Sequence, residues 1–158
     1  MYSNNTAFGD IICKNDDTTI IERLEKIDSG YRILYRLGCG TGAELHQLLK
    51  LTVDDVLDKD HISMKVGPRN VLRTFNFPND FRDDLRTYIG DRRGMLFVLA
   101  DGSEMNETEA AKVLRENGVN KSFLQILLRQ YYDESGDIEY PKHMMKLSPE
   151  ESVLEFLA

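Results

Sequence analysis

The sequence predicts an α+β domain in which helices precede and follow a small antiparallel sheet. Residues 61–66 and 71–77 alternate apolar and polar side chains, and Gly67-Pro68-Arg69-Asn70 between them is typical of a turn, so together they predict a β-hairpin. On both sides of the hairpin, apolar residues recur at helical spacing. Helices, a hairpin and further helices in this order are typical of the α+β class.

Three helices are predicted before the hairpin, behind a polar arm. Residues 1–16 are aperiodic and are expected to form a partly flexible arm, and residues 17–158 to form a single domain. Asp17 or Thr18 caps the first helix, whose apolar stripe is Ile20, Ile21, Leu24 and Ile27 and which ends at Ser29-Gly30. The second helix is predicted over residues 31–37, ending in Gly38-Cys39-Gly40-Thr41-Gly42, and the third over residues 43–51.

After the hairpin the pattern is mainly helical. Pro78-Asn79-Asp80 starts a helix over residues 81–89, and residues 95–100 predict a short apolar strand. Asn106 caps a helix that ends at Asn117-Gly118. Later elements are a helix with the stripe Phe123, Ile126, Leu127 and Tyr131, and a final helix over residues 149–157 that Ser148-Pro149-Glu150-Glu151 begins.

Composition indicates a soluble cytoplasmic protein without a cofactor. The chain has 158 residues, 41% of them hydrophobic, and no apolar run approaches the roughly 18–20 residues of a membrane span. No basic region followed by an apolar one marks a secretory signal at the N-terminus. Cys13 and Cys39 lack metal-type spacing and are interpreted as reduced thiols, and the three histidines, which are scattered, predict no metal site.

Basic residues are concentrated in the middle of an acidic chain. Residues 61–100 hold seven basic and four acidic residues, whereas the chain as a whole has a formal net charge of −7. The negative total weighs against affinity built mainly on phosphate neutralisation, but the basic middle is a candidate DNA-binding face. Its candidates are Lys65, Arg69, Arg73, Arg82, Arg92 and Arg93. A solvated surface of mixed charge is the alternative.

One segment resembles the first signature of the tyrosine recombinase (phage integrase) catalytic domain. It is Thr41-Gly42-Ala43-Glu44-Leu45-His46-Gln47, followed by Leu48-Leu49-Lys50-Leu51 and the acidic turn Asp54-Asp55-Val56. The family signature is Thr-Gly-Leu-Arg-Ile-Ser-Glu, then Leu-Leu-x-Leu and an acidic turn. The scaffold positions match. Glu44, however, stands where the family has an arginine that holds the scissile phosphate, and Gln47 stands at the glutamate that orients this arginine.

Two later segments resemble the remaining family signatures. Arg73-Thr74-Phe75-Asn76-Phe77-Pro78 is similar to Arg-x-Val-Pro-Leu-Pro, and the catalytic lysine in the preceding turn falls on Pro68, with Lys65 close by. Without gaps, Lys121-Ser122-Phe123-Leu124 lies on His-x-Leu-Arg, Leu147 on the second histidine and Phe156 on the nucleophilic tyrosine. Lys121 is the one replacement that keeps a cation, and it joins the DNA-binding candidates. A gapped alternative would retain Arg129 as the second arginine.

The resemblance implies the recombinase fold without its chemistry. In the family a tyrosine oxygen attacks a DNA phosphodiester, two arginines neutralise the phosphate, and lysine and histidine move protons. Phe156 has no nucleophilic oxygen, and Leu124 and Leu147 neither donate nor neutralise. A carboxylate at Glu44, ~4 Å from a phosphate charge, would be unfavourable by roughly 4 kcal/mol at an effective dielectric constant near 20. Rescue by Tyr131, Tyr132 or Tyr140 is the alternative, although such tyrosines more often pack.

We therefore expect a catalytically inactive, recombinase-like protein that acts by binding, as a DNA-associated or regulatory factor. The chain is expected to represent the catalytic domain alone, without the family's N-terminal helical domain. One alternative is a protein-interaction module without DNA binding, in which the helix over residues 149–157 mediates self-association, as the resemblance implies. Another is a divergent nuclease or strand-transfer enzyme, for which the sequence offers no acid/base or metal constellation.

Overall fold

The computed structural model describes residues 17–135 and confirms the α+β class. Within these residues, three helices precede a two-stranded antiparallel sheet and three follow it. The elements are α1 (Asp17–Ile27), α2 (Ser29–Thr41), α3 (Leu45–Leu48), a 3₁₀ turn (Val53–Asp55), β1 (His61–Val66), β2 (Val71–Asn76), α4 (Asn79–Ile89), α5 (Glu107–Glu116) and α6 (Phe123–Ser135).

Helix α2 is the central element of the described structure. It contacts each of the other helices and both strands. Ten of its 13 residues are buried, so it presents apolar or small side chains in almost every direction. Leu24 from α1, Leu85 from α4 and Leu127 from α6 belong to the core around it. A helix that is apolar all round is typical of the centre of a domain, and the other elements pack around this one.

The first two helices are separate, as predicted, but the break is at Asp28 instead of Ser29-Gly30, and the prediction that the second helix ends before Gly38 was wrong. Asp28 caps α2: one carboxylate oxygen accepts from the Gly30 N–H at 2.9 Å and the other from the Ala100 N–H at 2.7 Å. The helix then continues through Gly38 and Gly40 to Thr41. Tertiary packing has overridden the low helix propensity of these glycines.

The two mid-helix glycines let aromatic rings reach the backbone of α2. A Cβ atom on Gly38 would lie 2.5 Å from ring carbons of Phe123, and a Cβ atom on Gly40 would lie 2.4 Å from the ring of Phe75. Phe123 begins α6 and Phe75 lies in β2, so α6 and the hairpin both rest on the C-terminal half of α2. Any larger side chain at either position must push one of these elements away.

The hairpin has the predicted strands and turn. His61 pairs with Asn76 and Val66 with Val71, and the intervening turn has left-handed backbone at Gly67 (φ 78°) and Asn70 (φ 49°). Phe75 on the buried face belongs to an aromatic cluster whose ring centroids lie 5.5–6.0 Å apart; the other members are Phe77 and Phe81. The cluster joins β2 to the start of α4.

The predicted strand at residues 95–100 was wrong as a regular element. Only two isolated bridges form there, between Thr52 and Met95 and between Val98 and Glu104. The Tyr88 hydroxyl explains the interruption, because it donates to the Val98 carbonyl at 2.7 Å and accepts from the Val98 N–H at 3.0 Å. A side chain therefore uses the backbone groups that a neighbouring strand would need. Burial raises the pKa of this hydroxyl above its ordinary value.

Two further boundaries differ from the predictions. Helix α3 is shorter than residues 43–51, because the Leu51 carbonyl accepts from the Leu96 N–H at 3.0 Å and the chain leaves the helix to make this pairing. Ile27, assigned to the apolar stripe of α1, is 49% exposed. The expected arm at residues 1–16, Cys13 and the helix at residues 149–157 lie outside the described residues. None of the helices described here has the length and apolar character that crossing a membrane requires.

We expect Gly40→Ala to lower the free energy of unfolding by about 1–3 kcal/mol, because the added methyl group overlaps the Phe75 ring. Urea denaturation measures the effect, and Lys112→Ala at an exposed site of α5 is the control. Phe75→Leu should absorb part of the overlap, so the double variant should lose less stability than the two single losses combined. Additive losses would contradict the packing explanation.

Candidate functional site

The candidate site begins where α2 ends. Gly42 has a left-handed backbone (φ 74°), and its N–H donates to the Gly38 carbonyl at 2.8 Å. The Thr41 hydroxyl donates to the Leu37 carbonyl at 2.9 Å and accepts from the Ala43 N–H at 3.2 Å. The Thr-Gly pair therefore stops the helix and turns the chain sharply, as a C-terminal cap does. The turn directs Ala43 and Glu44 toward the hairpin and α6.

Glu44 is held at the start of α3 through its backbone. Its N–H donates to Oε1 of Gln47 at 2.9 Å, and Nε2 of Gln47 donates to the Lys65 carbonyl in β1 at 2.8 Å. Gln47 thereby ties α3 to the hairpin. The Glu44 side chain is 71% exposed, and its Oε2 lies 3.1 Å from Nδ1 of His46. The carboxylate is thus accessible to solvent and to a ligand.

The third segment of the site is the N-terminus of α6. The Ser122 N–H donates to Oε1 of Gln125 at 3.0 Å, while the Gln125 N–H donates to the Ser122 hydroxyl at 3.1 Å. This reciprocal pair is a capping box, which satisfies two backbone donors at the helix start. It fixes Leu124 beside Gly42: a Cβ atom on Gly42 would lie 3.3 Å from a methyl group of Leu124.

These segments enclose a cavity of about 520 Å³, which we call the cleft. The end of α2, the hairpin turn and the start of α6 each contribute to it. Its lining residues are Gly42, Ala43, Glu44, Gly67, Pro68, Ser122, Leu124 and Gln125. Glu44, Pro68 and Leu124 are far apart in the sequence but share this cavity. They are the residues that the sequence resemblance aligns with an arginine, a lysine and an arginine of the family. Among the described residues that line the cleft, Glu44 is the only charged one.

Lys121 lies in an adjoining cavity of about 250 Å³, which we call the side pocket. The side pocket shares Ala43, Glu44 and Ser122 with the cleft. Its remaining lining is mostly apolar and comes from α3, α5, the connection between α5 and α6, and α6: Leu45, Ala111, Leu114, Val119 and Phe123. Four of the six residues that the sequence resemblance aligns with family catalytic positions thus lie in or beside one concave region. The other two, Leu147 and Phe156, fall outside the described residues.

Arg129 lies away from this region. Its Nε donates to Oδ1 of Asp133 at 3.0 Å, and its guanidinium lies 5.8 Å from the centre of the Tyr132 ring. Both contacts are within α6. Arg129 does not line the cleft or the side pocket, whereas Leu124 does. This arrangement favours the ungapped alignment over the one that retains Arg129 as a phosphate ligand.

The structure divides the seven cationic candidates instead of forming one face. Lys65, Arg69 and Lys121 are exposed and lie in or next to the segments that line the cleft. Arg82 and Arg92 are half-buried and hydrogen-bonded within the protein. Arg82 donates to Oδ1 of Asn79 at 3.2 Å, and Arg92 donates to the Met95 and Leu96 carbonyls, each at 3.2 Å. Arg93 is exposed beside Arg92, and its guanidinium donates to the Arg92 carbonyl at 2.9 Å.

Arg73 is a buried structural residue, which corrects its assignment to a DNA-binding surface. It is 6% exposed, and its guanidinium donates to the Tyr131 hydroxyl at 3.1 Å and to the Gly40 carbonyl at 3.4 Å. The same group lies 5.5 Å from the centre of the Tyr131 ring. The alternation of side chains along the strand predicts the burial of Arg73, because Arg73 is in phase with the buried Phe75 and Phe77.

The described residues supply no other obvious catalytic set. No group of three or more His, Cys, Asp or Glu side chains in residues 17–135 could hold a metal ion. Tyr131 is 0% exposed, and its hydroxyl accepts from Arg73, so its contacts are those of a packing residue. Tyr132 is half-buried beside Arg129. Tyr140 lies outside the described residues.

Comparison with known proteins identifies the fold. No family model and no curated protein sequence matches the chain, but several solved structures do. The catalytic core of lambda integrase aligns with a TM-score of 0.59 at 12% identity over 96% of each chain. XerA recombinase aligns with a TM-score of 0.58 at 15% identity, over 85% of this chain and 53% of that one. The chain has the catalytic-domain fold of the tyrosine recombinases.

A DNA-bound structure is among the similar ones. A lambda integrase dimer bound to a COC′ core site aligns with a TM-score of 0.61 at 10% identity, over 89% of this chain and 56% of that one. The present chain spans about half the length of XerA and of this longer integrase chain. At these identities the tyrosine recombinase likeness is one of fold.

We expect Tyr131→Phe to lower the free energy of unfolding by about 1–2 kcal/mol, because it removes the hydroxyl that the buried Arg73 guanidinium contacts. Tyr132→Phe, on the next residue of α6, is the matched control and should change the free energy by less than about 0.5 kcal/mol. Chemical denaturation followed by circular dichroism measures both. Equal effects of the two substitutions would show that the Arg73–Tyr131 hydrogen bond contributes no specific stability.

Proposed function

We propose that this protein is a non-catalytic member of the tyrosine recombinase fold that acts by binding, as a DNA-associated regulatory factor in the cytoplasm. The observation that carries the proposal is the cleft: Glu44, Pro68 and Leu124 share the cavity in which the resemblance places two arginines and a lysine. Proline and leucine side chains can neither transfer a proton nor neutralise a phosphate. We also propose that residues 17–158 form a single domain that follows an N-terminal arm.

Glu44 makes the cleft unsuitable for a phosphodiester. Two like charges about 4 Å apart repel by roughly 4 kcal/mol at an effective dielectric constant near 20 and by about 1 kcal/mol in water. Because Glu44 is 71% exposed, the smaller figure is the better guide. Even that value acts against a transition state in which further negative charge develops. The absence of an arginine and the presence of a carboxylate therefore both weaken the binding of a phosphodiester and of its transition state.

We also propose that the site lacks the nucleophile that attacks the phosphodiester. The ungapped alignment puts Phe156 at the position of the attacking tyrosine, and a phenyl ring has no oxygen to attack phosphorus. Tyr131 is buried and hydrogen-bonded to Arg73, so its hydroxyl has no path to a bound substrate. The alternative that the protein is a divergent strand-transfer enzyme would need a nucleophile other than Tyr131.

DNA contact is proposed through the exposed cations that border the cleft, Lys65, Arg69 and Lys121. Lys65 and Arg69 lie in and beside the hairpin turn, and Lys121 precedes α6. Three phosphate contacts would give weak binding that falls steeply with salt. The similar lambda integrase structure is bound to a core site, which supports assigning DNA to this chain. Arg82, Arg92 and Arg93 lie on or just after α4. They would contact DNA only if the duplex also reached this second region of the surface.

The alternative is a protein-interaction module on the same fold. A net charge of −7 favours basic protein partners over nucleic acid at long range. In this alternative the segment over residues 149–157 mediates self-association, as the resemblance to recombinases implies. The two functions predict opposite outcomes in a DNA-binding measurement.

We expect weak binding to a labelled duplex at low salt, and we expect the affinity to fall by about tenfold or more between 50 and 200 mM salt. Fluorescence anisotropy measures this. The double variant Lys65→Glu/Arg69→Glu should abolish the binding, because it reverses both hairpin charges. Arg93→Glu, an exposed charge reversal away from the cleft, is the matched control and should bind nearly as the unchanged protein does. If no binding occurs at low salt, the DNA-associated function is wrong and the protein-interaction module stands.

We expect no covalent protein–DNA adduct with a nicked suicide duplex, even at high protein concentration, because the proposed site lacks a nucleophile and a phosphate-holding arginine. Denaturing gel electrophoresis detects such adducts, and XerA recombinase with a duplex of its own specificity serves as the positive control. An adduct that mass spectrometry maps to a tyrosine would overturn the claim that the protein is non-catalytic.

A further inference from the structure

The outward face of the hairpin differs in chemistry from the rest of this acidic chain. We call it the ribbon face, and it consists of three cross-strand pairs: Lys65 with Leu72, Ser63 with Thr74, and His61 with Asn76. Residues 61–79, which include both strands, are the longest stretch of the sequence without an aspartate or glutamate. The ribbon face therefore presents hydroxyl, amide, imidazole, ammonium and methyl groups, and none of its six side chains is negatively charged.

Acids border the ribbon face, and exposed cations stand beside them. Asp60 precedes β1, and Glu44 lies in the cleft beside the hairpin turn. Lys59 is exposed next to Asp60, and Arg69 is exposed in the turn. On the face itself, Lys65 carries a full positive charge. A polyanion that lies along the face therefore meets a cation on it and a cation at each end.

The ribbon face is held in place from behind. Phe75 packs on Gly40, and the Arg73 guanidinium donates to the Gly40 carbonyl at 3.4 Å. At the edge of β1, Nε2 of Gln47 donates to the Lys65 carbonyl at 2.8 Å. A surface that is ordered before binding loses little conformational entropy when it meets a ligand. The hairpin thus has the rigidity that a recognition element needs.

The dimensions of the ribbon face match the major groove of DNA. The major groove of B-DNA is about 12 Å wide and admits a two-stranded β-ribbon, whose strands lie about 4.8 Å apart. Successive pairs on one face of a ribbon are about 7 Å apart along the strands, which is close to two base-pair steps. The three pairs therefore span about four base-pair steps.

The side chains on the ribbon face favour a duplex over a single strand. Proteins that bind single strands stack the bases on aromatic side chains, and the ribbon face has no phenylalanine, tyrosine or tryptophan. Hydroxyl and amide groups instead match the donors and acceptors that base edges present in the major groove. Leu72 is 64% exposed and can contact the methyl group of a thymine. Asn76 carries the amide group that pairs with adenine through two hydrogen bonds.

We propose that the ribbon face lies in the major groove of a DNA duplex and selects its sequence, with Leu72 against a thymine methyl group and Asn76 against an adenine about four base pairs away. The inference rests on the proposed association with DNA, and it adds the groove and the residues that read the bases. Phosphate contacts from Lys65, Arg69 and Lys121 alone would give weak binding without sequence preference, so base contacts supply the selectivity.

A library of duplexes with a random core of about 12 base pairs, longer than the span of the ribbon face, is the probe, and it is enriched on the full-length protein at low salt. We expect an enriched site with a thymine and an adenine about four base pairs apart. Deoxyuridine in place of that thymine removes only the methyl group and should weaken binding by roughly fourfold. In place of the adenine, 7-deazaadenine removes the N7 acceptor and should weaken binding by roughly fivefold or more.

Each variant of the ribbon face should lose the response to one modified base only. Leu72→Ala should bind the thymine and deoxyuridine duplexes equally and keep the response to 7-deazaadenine. Asn76→Ala should show the reverse. Thr108→Ala, at an exposed site of α5, is the matched control and should keep both responses. Circular dichroism and the midpoint of urea denaturation show that each variant is folded.

The outcomes separate this inference from the proposed function. Salt-dependent binding without an enriched sequence would overturn the inference and leave the proposed association with DNA intact, because phosphate contacts would then explain the affinity. An enriched site whose modified bases affect Leu72→Ala and Asn76→Ala as they affect the unchanged protein would also overturn the inference, because other residues would read the bases. If no duplex binds at low salt, both the inference and the DNA-associated function are wrong.

Discussion

The geometry of the described domain depends on two aromatic rings that pack directly on glycines of α2. Phe123 covers Gly38 and Phe75 covers Gly40, and in both cases a Cβ atom would lie about 2.5 Å or less from ring carbons. A glycine inside a helix costs about 1 kcal/mol relative to alanine, so these positions oppose helix formation locally. Burial of two aromatic side chains, each worth roughly 1.5–3 kcal/mol, offsets that cost. The helix is stable here because α6 and the hairpin cover it.

The same close approach positions the cleft. Two residues after Gly40 the chain turns at Gly42, which packs against Leu124 and Leu127 of α6. On the other side, Arg73 in β2 reaches the Gly40 carbonyl and the Tyr131 hydroxyl, which links the hairpin to both helices. The three segments that line the cleft are therefore held by contacts behind it. Arg73 therefore has a structural role, because its buried guanidinium donates hydrogen bonds to acceptors inside the protein.

Sequence reasoning recovered the elements whose signals are local. The hairpin strands and turn, the cap at Asn106 and the stripe containing Phe123, Leu127 and Tyr131 follow from alternation, capping and helical spacing. The errors occur where a residue that is distant in the sequence determines the local backbone structure. The extension of α2 through Gly40 needs the ring of Phe75, and the interruption at Val98 needs the Tyr88 hydroxyl. The resemblance brought Glu44, Pro68 and Leu124 together. Arg73 was taken for a surface cation, although its position in phase with the buried Phe75 along the strand indicates that it points inward.

Several scaffold contacts around the cleft do not involve the side chains that line it. The Glu44 N–H donates to Gln47, which in turn donates to the Lys65 carbonyl, and these two contacts do not use the Glu44 carboxylate. Pro68 occupies an exposed turn in which the Asn70 N–H donates to the Gly67 carbonyl at 3.2 Å. By contrast, Gly40 and Gly42 cannot change without displacing aromatic or leucine side chains. Side chains that face an open cavity are not constrained by core packing. Substitution of such a side chain can therefore reverse the charge of a site with little loss of stability.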